Sequence, residues 1–71
     1  MNKQQIIKLL ETRFCDHIKQ MDFANDCKNR ATAQYYAGLS CEIAEILATI
    51  NGISPDTQNQ VLFDKYKLNK Y

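Results

Sequence analysis

The first 37 residues contain neither glycine nor proline, and the whole chain of 71 residues holds only two glycines and one proline. These two residues are the strongest local punctuation available to a backbone. Glycine enters positive φ without steric cost, and proline removes an amide donor and fixes φ. A long run without either, rich in Gln, Lys, Leu, Ile and Ala, favours helix at nearly every position. The expected fold class is therefore all-α, in one domain spanning residues 1–71.

At about 100° per residue, Ile6, Ile7, Leu10, Phe14, Ile18 and Met21 share an arc of about 120°. Lys8, Glu11, Asp16 and Lys19 fall outside it. This spacing predicts an amphipathic helix over 3–23, with Asn2 as N-cap. Polarity then rises in the stretch DFANDCKNR, Asp22–Arg30, where Asp and Asn side chains compete for backbone hydrogen bonds. The chain reversal is expected near Asn25–Asn29. A single long helix through this stretch is the alternative, and it would need a partner chain to cover its stripe.

The segment YYAGLSCEIAEILATI, residues 35–50, poses a sharper choice. Gly38-Leu39-Ser40 fits the turn of a DNA-reading helix-turn-helix, with Ala33, Ala37, Ala44 and Leu47 as interior positions. Against that, Tyr35, Tyr36, Leu39, Ile43, Ile46, Leu47 and Ile50 fall within one arc of about 120° that crosses Gly38 without a change of phase. A turn would reset the phase. The would-be reading helix would also offer Glu42 and Glu45, and no Lys or Arg, to the phosphates. The sequence thus predicts one unbroken helix over 30–50. Glycine in a helix interior costs about 1 kcal/mol relative to alanine. Gly38 is either a point of close approach by another backbone or a tolerated imperfection.

Asn51-Gly52 provides a left-handed C-terminal cap. Ser54-Pro55-Asp56 then reads as N-cap, proline in the first turn and an acid beside the helix dipole. A third helix is expected over 55–67, with Val61, Leu62, Phe63 and Tyr66 as its apolar residues. The tail KYKLNKY carries Lys65, Lys67 and Lys70, whose charges suit a helix C-terminus.

Composition narrows the function. Nine basic residues against eight acidic ones leave a net charge of +1, which argues against a nucleic-acid partner. Apolar residues make up 45% of the chain and charged ones 24%, a globular balance. No apolar run approaches the ~20 residues of a membrane span, and Lys8 and Glu11 interrupt any signal-like core, so a cytoplasmic protein without a membrane role is expected. Cys15, Cys27 and Cys41 are odd in number and widely spaced, as suits free thiols in a reducing compartment. Together with His17 they have the count of a zinc site but not its spacing, because Cys15 and His17 diverge on a helix. His17 sits at the edge of the first apolar arc, as a helix-interface residue would. Glu42 and Glu45 share a solvated face. Neither a metal, a cofactor nor a catalytic constellation is expected, and the chain reads as a non-enzyme.

A chain of this size buries only about 60% of the surface its unfolded form exposes. The two long helices each carry a wide stripe, and a hairpin covers only half of each. The expected architecture is an antiparallel helical hairpin with a short third helix, completed as a bundle by self-association, a dimer being favoured, or by a different protein. Tyr35, Tyr36, Glu42, Glu45, Tyr66 and Lys67 are the candidate interface residues, with Phe23 and Tyr71 as extensions. Tyrosines are typical interface anchors, although for Tyr35 and Tyr36 the core margin, with the ring buried and the hydroxyl reaching water, is the preferred reading.

The pattern YYAGL…EIAEIL resembles that of short helical accessory proteins of phages and other mobile elements. The likeness covers residues 31–50. It implies a role in manipulating a host protein, for instance inhibition of a defence system such as a CRISPR effector. The alternative function is a small helix-turn-helix transcriptional regulator.

Overall fold

A computed structural model describes residues 1–68, and Lys70 and Tyr71 lie outside the described residues. Three helices follow one another: α1 over Lys3–Asp26, α2 over Arg30–Asn51 and α3 over Pro55–Tyr66. α1 and α2 form the antiparallel hairpin, and α3 packs across α2. α1 is three residues longer than its apolar periodicity indicates.

The start of α1 is fixed by a reciprocal capping box. The Asn2 side chain accepts from the Gln5 amide at 2.9 Å, and the Gln5 side chain accepts from the Asn2 amide at 2.9 Å. The reversal occupies Cys27–Asn29, and Lys28 adopts a left-handed conformation at φ 58°. The Asn29 amide reaches back to the Ala24 carbonyl at 2.8 Å, and the Asn29 side chain then accepts from Thr32 to open α2. The same six-residue closure recurs at the other helix ends. Ile53 donates to Ala48 past left-handed Gly52, and Leu68 donates to Phe63 past left-handed Lys67. Only one of the three left-handed positions is a glycine.

α2 runs unbroken through Gly38, so there is no turn at Gly38-Leu39-Ser40. A methyl group added at Gly38 would meet no atom within 4 Å. Among the described residues, therefore, no neighbour meets the close-approach reading of Gly38. Ser54 caps α3, accepting from the Thr57 amide, with Pro55 and Asp56 in the first turn.

Phe14, Ile18, Ile43, Ala44, Leu47 and Leu62 form the buried core, and Ile7, Leu10, Met21 and Phe63 pack around it. Phe14, Leu47 and Leu62 are fully buried. Phe14 meets Phe63 edge to face, with centroids 5.9 Å apart. The buried face of α2 is Ala33, Ser40, Ile43, Ala44, Leu47 and Ala48. It lies about a quarter-turn from the centre of the large-apolar arc. That arc was expected to be the core stripe, and the structure corrects this. Small side chains let α1 and α3 approach α2 closely, so the seam follows them rather than the largest residues. Ser40 tolerates burial because its hydroxyl donates to the Ala37 carbonyl at 2.8 Å.

Candidate functional site

Two regions outside the core combine chemistry with position: a polar lock between α1 and α3, and the hairpin face opposite α3.

The lock centres on Glu11. Periodicity places this residue outside the apolar arc of α1, yet it is 8% exposed. α3 accounts for the difference. Lys65 donates to Glu11 Oε1 at 2.9 Å, and the Tyr66 hydroxyl donates to the same oxygen. Lys65 also lies 5.3 Å from the Tyr66 ring centroid. The bond to Glu11 holds both donors' protons more firmly than usual. The Lys65 ammonium is raised above its ordinary pKa chiefly by that bond, against a smaller opposing effect of desolvation. The Tyr66 hydroxyl is raised by the same bond and then by partial burial. With both donors on one oxygen, Glu11 serves as an anchor for the end of α3. A second polar contact, Asn51 to Gln58 at 2.8 Å, ties the start of α3 to α2 and satisfies the buried Gln58 amide oxygen.

The opposite face is built differently. α3 meets α1 through Glu11 and Phe14. It meets α2 beside Cys41, Ala44 and Glu45, which with Pro55, Asp56 and Asn59 line a shallow cleft of about 210 Å³. On the helix wheel, the far side of α1 then carries Ile6, Leu10, Arg13 and His17, and the far side of α2 carries Tyr35, Leu39, Glu42, Ile46 and Ile50. Tyr35 is 63% exposed and Ile46 43%, and Ile6 and Ile53 are also open to solvent. Tyr35, Ile46 and Ile6 share this side of the hairpin, whereas Phe23, Val61 and Tyr66 stand exposed elsewhere.

The six interface candidates do not form one surface. Tyr35 and Glu42 lie on the far face. Tyr36 turns into the α1–α2 seam, where its ring lies 6.0 Å from that of His17 and 5.2 Å from that of Tyr35. His17 thus sits at a helix interface, as its place on the arc suggests. Glu45 borders the α3 cleft. Tyr66 is engaged by Glu11, and Lys67 is the left-handed cap of α3. Phe23 is exposed near the end of α1. Sequence reasoning placed Ile6 and Ile46 in the apolar stripes, yet both are exposed, and it did not single out Arg13. The spacing of Ala33, Ala37, Ser40, Ala44 and Ala48 was the available signal, because a small-residue stripe marks the close seam.

Cys15, Cys27 and Cys41 are free thiols, with Cys27 and Cys41 exposed. Burial pushes the Cys15 thiol pKa up, which favours the protonated, less nucleophilic form. Among the described residues no three His, Cys, Asp or Glu side chains converge as a metal site. Among those same residues no helix is long and apolar enough to cross a membrane. Comparison with protein-family models, curated proteins and solved structures finds no match.

Proposed function

We propose that this chain is a non-enzymatic protein-binding module that modulates another macromolecule through the far face of its α1–α2 hairpin. The observation that carries this reading is the gathering of Tyr35, Ile46 and Ile6 in solvent on one side, with Leu39 and Ile50 half-buried beside them. An aromatic anchor among aliphatic residues, edged by Arg13 and Glu42, has the make-up of an interface centre with a polar rim. The setting implied by the YYAGL…EIAEIL pattern is an accessory protein of a phage or mobile element acting on a host protein, a defence effector included. The DNA-regulator reading loses its turn, because α2 continues through Gly38.

Affinity purification of tagged protein from its native cell, with mass spectrometry, tests the proposal. A specific protein enriched by the wild type and lost with Ile46→Asp or Tyr35→Ala is the expected result. Equal enrichment by wild type and both variants would overturn it.

A further inference from the structure

The far face carries one exposed charge on each helix of the hairpin, of opposite sign, and their positions specify an occupant. Arg13 lies on α1 and Glu42 on α2, both exposed. Among the described residues neither has an ionic partner. The His17–Tyr36 ring contact sets the relative height of the two antiparallel helices. Counting from it, Arg13 is four residues away on α1 and Glu42 six residues away on α2, in the same direction. At 1.5 Å per residue the two stand within about 3 Å of one another along the hairpin axis.

The geometry points to a second copy of this chain on the far face, related by a two-fold axis parallel to the hairpin. Such an axis preserves height and sets α1 of each copy against α2 of the other. Each Arg13 then meets the partner's Glu42, and the arrangement contains two equivalent ion pairs. Along the same seam, Ile6 and Leu10 of one copy oppose Leu39, Ile46 and Ile50 of the other, chiefly on the side of the ion pairs towards the start of α1. The alternative two-fold, perpendicular to the helices, would set α1 on α1 and bring the two Arg13 side chains, near the middle of α1, towards each other. Charge therefore selects the first arrangement. The product is a four-helix layer with an α3 on each outer side, which covers the stripes that the hairpin leaves open.

This inference rests on the far face being a protein-binding surface and names its occupant. Sedimentation equilibrium of the full chain over a concentration series tests it, with circular dichroism confirming that each variant keeps its helix content. The wild type is expected at twice 8.2 kDa. Arg13→Glu and Glu42→Arg should each weaken association at least tenfold. The double variant Arg13→Glu/Glu42→Arg should return to within about threefold of wild type, because the pairs are rebuilt with reversed sign. A wild type that stays at 8.2 kDa up to millimolar concentration overturns the dimer, as does a double variant no tighter than the singles. If the dimer fails while Ile46→Asp still abolishes capture of a cellular protein, only this occupant is wrong. If Ile46→Asp alters neither association nor capture, the binding-face reading fails with it.

Discussion

The two faces of the α1–α2 hairpin have similar raw material and opposite fates. Beneath α3, Phe14 and Leu62 are fully buried, and the polar groups caught there, Glu11 and Gln58, have hydrogen-bond partners. On the other side Tyr35 and Ile46 remain in water. The helices supply apolar residues to both sides, and only a cover distinguishes them. Burial stabilises by about 25 cal/mol per Å² of apolar surface removed from water. The side beneath α3 therefore holds the monomer together, and the open side contributes chiefly once something lands on it.

Mutation should expose this asymmetry most plainly at Phe14. Phe14→Ala removes a fully buried ring and its edge-to-face contact with Phe63, and should cost about 3–5 kcal/mol. That is comparable to the whole stability of a small domain, so largely unfolded protein is expected by circular dichroism. Ile46→Ala, measured in urea at a concentration where the chain is monomeric, should cost under about 1 kcal/mol. Equal losses at the two positions would erase the distinction between the faces.

The polar lock should fail at alkaline pH. Tyr66 and Lys65 both have pKa values raised on folding. Their contribution is complete below the ordinary tyrosine value of about 10 and disappears as pH rises through the folded values. The melting temperature of the wild type should therefore fall above about pH 10 more steeply than that of Tyr66→Phe. Parallel profiles would mean that the contact with Glu11 contributes nothing to holding α3. At neutral pH, Tyr66→Phe should cost about 1 kcal/mol.

Local signals made the element order legible, and packing hid the rest. Ser54-Pro55 and Gly52 mark their boundaries because each residue has a dedicated backbone role, and the apolar phase crossing Gly38 correctly indicates one helix. The reversal at Cys27–Asn29 is only loosely visible, since a lysine fills the left-handed position that glycine usually marks. Glu11 looks like a surface acid until α3, 54 residues later, brings Lys65 to it. The far face was hidden for the opposite reason. Ile46 and Tyr35 look like core by periodicity, but the closest helix approach selects alanines and a serine instead. Lys28→Gly tests the first of these points. Relieving the positive φ should stabilise the hairpin by about 1 kcal/mol, seen as a higher urea midpoint.

The smallest effect probes the exposed side of α2 for close neighbours. Gly38 lies in the interior of that helix, exposed, with no atom within 4 Å of where a methyl group would stand. Within the isolated chain, Gly38→Ala restricts the unfolded backbone and improves helix propensity at no steric cost. It should add about 0.5 kcal/mol to stability. In the dimer inferred above, the pairing of Arg13 with the partner's Glu42 centres contact one turn further along α2, so the association constant should be unchanged. A variant that is more stable as a monomer yet associates several-fold more weakly would show a second backbone packed against Gly38. The two copies would then meet along a line shifted towards Tyr35, and the ion pairs would no longer be the centre of the interface.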